Sequence, residues 1–217
     1  MSKPALTESD IIRAAAELQC EVATIKAVIR KEVRGRGFLP DGQPKVLFER
    51  HKFRDFTGGR YNASHPQLSG PPGSYGAAGQ HQHDRLAAAA KLDRDAALKS
   101  ASWGCFQTMG ENWAQCGFSS LQAFINAMYR SEQDHLAAFV QYVKNDRRKY
   151  AVRGPHYGMT MLEGLRKKVW AVFARFYNGP KYAINNYDTS LQVFYNEAPA
   201  GDKRVPGAQD VSKGGAQ

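Results

Sequence analysis

At 217 residues, with 42 % hydrophobic and 23 % charged side chains, the chain has ordinary globular composition and enough length to bury a full-sized core. No apolar run approaches the roughly 20 residues needed to cross a bilayer, and the opening Met1-Ser2-Lys3-Pro4-Ala5-Leu6-Thr7-Glu8 has no apolar signal core, so synthesis in a cytoplasm is expected. Three cysteines with no Cys-x-x-Cys exclude a full disulfide framework and suit a reducing compartment, and a net charge of +10 points toward anionic partners.

In chain order, Thr7 or Ser9 can cap a helix whose apolar residues Ile11, Ala15, Leu18, Val22, Ile25 and Ile29 recur every three or four positions, with Arg34-Gly35-Arg36-Gly37 as its end. Phe38 to Pro44 reads as a turn, and Lys45 to Phe53 as a short apolar element, either strand or helix. Arg54 to Gln80 is dominated by Gly, Ser, Pro, Asn and Tyr and predicts an irregular loop, the expected lip of a cleft. From His83 the chain turns Ala-rich and helical as far as Lys99. Ser119-Ser120-Leu121-Gln122 and Ser131-Glu132-Gln133-Asp134 mark two further helix starts, with Phe124, Met128, Leu136, Phe139, Val140 and Val143 supplying apolar faces. Thr160 to Glu163 opens another helix, with Leu162, Leu165, Val169, Phe173 and Phe176 expected inward, stopped by Asn178-Gly179-Pro180. A final helix carries Tyr182, Ile184, Leu191 and Phe194, and residues 198–217 are expected to be a flexible tail.

Two features carry chemistry. Glu49 follows Val46-Leu47-Phe48, and burial against apolar side chains favours a protonated carboxyl, the form that a glycosidic leaving oxygen needs. About fifty residues later, Ser102-Trp103-Gly104-Cys105-Phe106-Gln107 is a small turn with one Trp and one Gln, suited to a carbohydrate groove. The bland alternative is a half-exposed Glu49 paired with Arg50 or Lys52, and from those residues alone it is the favoured one. Charge is also unevenly distributed. Between Gln141 and Tyr182 stand ten basic residues (Lys144, Arg147, Arg148, Lys149, Arg153, Arg166, Lys167, Lys168, Arg175, Lys181) against Asp146 and Glu163, ten minus two, or +8 of the +10.

Phe48 to Phe53, Gly59-Arg60-Tyr61, His65-Pro66, Gly73-Ser74-Tyr75-Gly76, Ala101 to Gly110 and Phe173 to Pro180 resemble, in that order, blocks of the N-acetylmuramidase family of phage endolysins. The resemblance implies a mainly α, lysozyme-like fold with two helical lobes around a substrate groove, in one catalytic domain spanning residues 1–217, with no separate wall-binding module. It implies hydrolysis of the β-1,4 bond between N-acetylmuramic acid and N-acetylglucosamine, lysing the wall of a bacterial host. It places Glu49 on the general acid and, through a more distant likeness to goose-type lysozymes and lytic transglycosylases, Ser102, Gln107, Tyr177 and Asn178 along the sugar groove. The chain departs from the family pattern at Cys105 and Thr108, where aliphatic residues are usual, at Lys168 before Trp170, and in the added basic stretch Lys149 to Gly158.

A second carboxylate is expected at Asp55, the nearest to Glu49, with Asp84 and Glu111 near other blocks. A separation of about 5 Å would mean retention of configuration, and about 6.5 to 9.5 Å inversion. His81-Gln82-His83, with His51 and His65, lacks the ligand spacing of a zinc site, so neither a metal nor another cofactor is expected. Cys105 is expected to be an inert buried thiol. The partner expected is peptidoglycan, met by a monomer, with anionic outer-membrane or wall polymers drawn to segment 141–182 and no nucleic acid. The rival readings are a lytic transglycosylase giving 1,6-anhydro ends and a basic nucleic-acid- or membrane-binding protein in which Glu49 is idle.

Overall fold

A computed structural model of the chain describes residues 3–33 and 35–207. Its elements run α1 (Glu8–Leu18), α2 (Val22–Glu32), β1 (Val46–Phe48), α3 (Arg50–Phe56), α4 (Gln80–Leu92), α5 (Arg94–Lys99), β2 (Ala101–Trp103), β3 (Thr108–Met109), α6 (Leu121–Arg130), α7 (Glu132–Asn145), α8 (Met161–Arg166), α9 (Trp170–Tyr177) and α10 (Tyr187–Asn196), with single 3-10 turns between or after some of them. The fold is mainly helical, as expected. No helix among the described residues is long and apolar enough to cross a membrane. The chain divides into two compact units, one of Met1–Ala5 and Gly35–Phe139, the other of Leu6–Arg34 and Val140–Gln217.

The first unit is built on an antiparallel sheet in the order β1-β2-β3, with Val46 opposite Trp103, Leu47 opposite Ser102, and Ser102 opposite Met109. Phe48, Phe53, Trp103, Phe106, Phe124, Met128 and Phe139 are its fully buried large side chains. The ambiguous apolar element resolves into both alternatives: a strand to Phe48, then a helix from Arg50, with Glu49 as the joint. The irregular stretch is 57–79, since α3 runs to Phe56 and α4 begins at Gln80. Its backbone is pinned from outside: Arg50 donates to the carbonyls of Pro66 (3.1 Å) and Pro71 (2.7 Å), while Leu68 and Ser69 are buried. The Ala-rich helix is broken at Asp93, whose extended backbone and side chain, accepting from the Ala96 N–H at 3.0 Å, start α5 anew.

The second unit has its own core of Leu18, Ile25, Met161, Leu165 and Phe173. Thr7 caps α1 in a reciprocal box with Asp10, and Thr160 caps α8 in another with Glu163. Three sequence expectations are corrected here. The first helix is two: Gln19 turns left-handed (φ 51°) and its N–H closes on the carbonyls of Ala15 and Ala16, so the apolar stripe continues across a break as the mutual face of α1 and α2. The helix from Thr160 is also two, broken at Lys168 (φ 57°), and the large residues it buries are Met161, Leu165, Trp170, Val172 and Phe173, leaving Leu162, Val169 and Phe176 only half-covered. Ile184 lies on a 3-10 turn and is 74 % exposed, so the last apolar face rests on Tyr187 and Leu191. After Ala198 the chain is held as far as Gly207: the Arg204 carbonyl accepts from the Val22 N–H at 3.2 Å and Asp202 meets Lys26 at 2.9 Å. The rest of the expected tail, 208–217, lies outside the described residues.

Candidate active site

Glu49 occupies a position that sequence pattern alone leaves open. Its N–H donates to the Ser100 carbonyl at 2.9 Å, extending the β1–β2 ladder by one residue, and its own carbonyl accepts from the Phe53 N–H, starting α3. Side chains alternate across a strand, so Glu49 shares a sheet face with Leu47 and with Ser102, which is paired opposite Leu47. Glu49 and Ser102 are therefore diagonal neighbours, a relation that spans about 7–8 Å. Although it is the first residue of the helix boundary, the Glu49 carboxyl makes no capping bond, and its side chain is only 17 % exposed.

The groups facing this carboxyl are His51, whose Nδ1 lies 3.2 Å from Oε2, and the phenol of Tyr75. Both Glu49 Oε2 and His51 Nδ1 are buried and make no hydrogen bond of good geometry. The bland pairing does not occur. Arg50 is spent on the Pro66 and Pro71 carbonyls, and Lys52 pairs with Glu111 at 2.7 Å. Burial pushes the Tyr75 phenol up, and the charge of Glu49 together with a hydrogen bond to it pushes further in the same direction. Burial, and then the charge of Arg50, press the Arg85 guanidinium below its ordinary value, with Glu49 opposing them.

Of the other expected residues, Ser102 and Gln107 are brought together: the Ser102 hydroxyl donates to Gln107 Oε1 at 2.9 Å, and Gln107 Nε2 donates to the Gly104 carbonyl at 2.8 Å. Gln107 takes a left-handed backbone (φ 48°), which turns its exposed amide back over the strand end. Gly104 is required by contact as well as conformation, since a Cβ there would lie 2.6 Å from the His135 ring and its φ is 69°. Asp55 does not join Glu49. It is 54 % exposed, held by Arg54 at 2.7 Å, and six residues along α3, which at helical rise is about 9 Å further on and on another side of the helix. Tyr177 and Asn178 belong to the second unit, where Tyr177 stacks on Phe173 (5.4 Å between ring centres) and Asn178 ends α9, exposed.

The N-acetylmuramidase family model matches the chain over residues 21–199, the greater part of its length and both units. The chain belongs to the N-acetylmuramidase family. The crystal structure of the Burkholderia AP3 phage endolysin is similar to it, with a TM-score of 0.77 and 39 % sequence identity over 88 % of this chain and 70 % of that one. No curated protein matches. The chain is accordingly a peptidoglycan hydrolase, and the blocks that carried the resemblance lie within the matched span.

The cysteines take no part in this chemistry. All three are free and buried, and burial pushes each thiol up to about 12. Cys105 does meet a histidine that its sequence neighbourhood gave no sign of: His135 Nδ1 lies 3.2 Å from Sγ and accepts from the Cys105 N–H, while Nε2 faces the Met128 carbonyl at 2.8 Å. Burial lowers the His135 pKa, so a neutral ring and a neutral thiol form a packing joint rather than a nucleophile. Sequence reading named Tyr75 only within a block of the resemblance and did not single out Gln82 or Arg85, which the structure places beside the strand that ends at Glu49. A signal was present: on α4, Gln82, Arg85 and Leu86, then Ala89, repeat at helical spacing on one buried face, and long polar side chains in such a stripe need buried partners.

Proposed function

We propose that this hydrolase cleaves the β-1,4 bond between N-acetylmuramic acid and N-acetylglucosamine, as a glycosidase of the lysozyme type, and that Glu49 is the general acid. The C1–O bond breaks as Glu49 gives its proton to the departing sugar oxygen, charge builds at C1, and water adds there, leaving a free reducing end. The observation that carries the reading is the setting of Glu49: a mostly buried carboxyl on the strand-to-helix joint, with no arginine or lysine ion-pair partner among the described residues, on the same sheet face as Ser102. Ser102 and Gln107 are proposed to line the sugar subsites of the first unit, and Tyr177 and Asn178 are proposed, by themselves, as substrate-binding residues of the second. Asp55 is proposed as the second carboxylate, to be tested by Asp55→Asn; an unchanged rate would remove it from the mechanism. Attraction to anionic wall or outer-membrane polymers is proposed for the exposed cations Arg147, Lys149, Arg153 and Lys167, and lysis of a bacterial host follows as the biological outcome.

A mass spectrum of digested peptidoglycan tests the bond and the chemistry together. Fragments ending in reducing N-acetylmuramic acid are expected. Reducing N-acetylglucosamine ends would place the cut at the other bond, and 1,6-anhydro ends would make the enzyme a transglycosylase using the same acid.

A further inference from the structure

We propose that Gln82 and Arg85 are positioning residues for the acid: from one face of α4 they clamp the backbone of Tyr75 to the strand that ends at Glu49, so that phenol and carboxyl are held facing each other. The inference rests on Glu49 being the general acid. Gln82 is 1 % exposed and uses its whole amide. Its Oε1 accepts from the N–H of Phe48, the residue before Glu49, at 3.1 Å, while its Nε2 donates to the carbonyls of Tyr75 and Ala77, each at 2.7 Å. Arg85, one turn on, donates to the same Tyr75 carbonyl at 2.7 Å and to that of Gln67 at 3.0 Å, with its guanidinium over the Phe48 ring. Two separate side chains thus converge on one carbonyl, and one of them also holds the strand that presents the acid.

The segment they hold would not keep this shape unaided. Gly73, Ser74 and Gly76 all have left-handed backbones (φ 96°, 57° and 71°), and Tyr75 is the one residue of these four without a positive φ. A Cβ at Gly76 would lie 2.3 Å from His81, so the turn is also closely packed. A non-glycine residue such as Ser74 keeps a left-handed backbone only where its surroundings fix it. The buried clamp supplies that fixing, and its product is a phenol, 37 % exposed, placed close enough to Glu49 to feel its charge. When Glu49 has passed its proton to the leaving oxygen, the phenol O–H can donate to the carboxylate left behind. Orientation of this kind matters steeply, since a misplacement of about 1 Å can cost on the order of 100-fold in rate.

The test is a double-mutant cycle on solubilised, uncross-linked glycan chains, with kcat, KM and melting temperature measured for each protein, and with Glu49→Gln as reference. Tyr75→Phe and Gln82→Met should each lower kcat by about 10- to 100-fold with KM changed less than about two-fold. The double variant should be no slower than the slower single variant, because both remove one arrangement. Arg85→Lys, which retains the charge but has one ammonium for two carbonyls, should fall in between, and it replaces Gln82→Met in the cycle if that protein does not fold. Wild-type kcat in a folded Gln82→Met or Arg85→Lys protein, losses that multiply, or a change confined to KM or to melting temperature would each overturn the proposal. Activity retained in Glu49→Gln would instead remove the acid assignment, an outcome separate from these.

Discussion

The surroundings of Glu49 and the basic stretch from Gln141 to Tyr182 use charge in opposite ways. Near Glu49 two guanidiniums, those of Arg50 and Arg85, are close by, yet both are aimed at backbone carbonyls, and the groups that face the carboxyl are a histidine and a phenol. In the basic stretch, several cations that look surplus in sequence are committed to the fold. Arg148 grips the buried Asp146 through both carboxylate oxygens and also reaches the Phe176 carbonyl. Arg166 donates to the Leu18 carbonyl at 2.7 Å, and Lys168 pairs with Glu21 at 2.5 Å. The lesson is that the availability of a charge for function follows from what its partner is, and a count along the chain cannot supply that.

The comparison breaks first at Glu49. Glu49→Gln is nearly isosteric and should leave the melting temperature unchanged while lowering the rate by about 10² to 10⁴-fold, because the amide has no proton to give. Release of reducing ends at matched protein concentration measures it, and a rate within a few-fold of wild type would dismiss Glu49 as the acid. Next in size, Arg148→Gln should destabilise the protein by about 3 kcal/mol, since it leaves the Asp146 carboxylate, whose side chain is 1 % exposed, without its cation. Urea unfolding should register the loss with activity at low temperature preserved.

Lys168→Gln should cost about 2 kcal/mol at neutral pH, the scale of a hydrogen bond to a charged group, and its effect should depend on pH. Burial acts to raise the Glu21 pKa, but hydrogen bonds from Lys168 and Tyr195 and the nearby positive charges hold it below its ordinary 4.5. A depressed folded pKa means that the stabilisation is complete above about 4.5 and is lost as pH falls through the lower folded value. The gap in melting temperature between wild type and Lys168→Gln should therefore be full at pH 7 and shrink toward pH 3; a constant gap would place the effect in the left-handed backbone at 168 instead. The smallest expected effect belongs to the exposed cations. Replacing Arg147, Lys149 and Lys167 with Gln should slow action on intact walls a few-fold while leaving soluble glycan turnover unchanged, and added salt should reproduce the loss, given a Debye length of about 8 Å at physiological strength. Equal losses on both substrates would put these side chains at the sugar itself.

The sequence alone was enough for the helical class, the helix starts at Thr7 or Ser9, Ser119-Ser120 and Thr160, the irregular stretch after α3, and the order of blocks that carries the family. These are local properties: a hydroxyl three residues before its N–H partner, or a run of glycine and proline, acts through neighbours in the chain. Helix breaks at Gln19 and Lys168 were not legible, because a non-glycine residue turns left-handed only when the packing around it demands that conformation. Only the tertiary structure decided that Arg50 and Lys52 leave Glu49 alone, that His135 meets Cys105, and that Gln82 reaches back 34 residues to Phe48 and ties it to Tyr75. The partners are backbone carbonyls and an N–H, a ring and, for Lys52, the Glu111 carboxylate, all brought near by folding; backbone groups are present at every residue, so nothing in the order of side chains could single out the ones that are used.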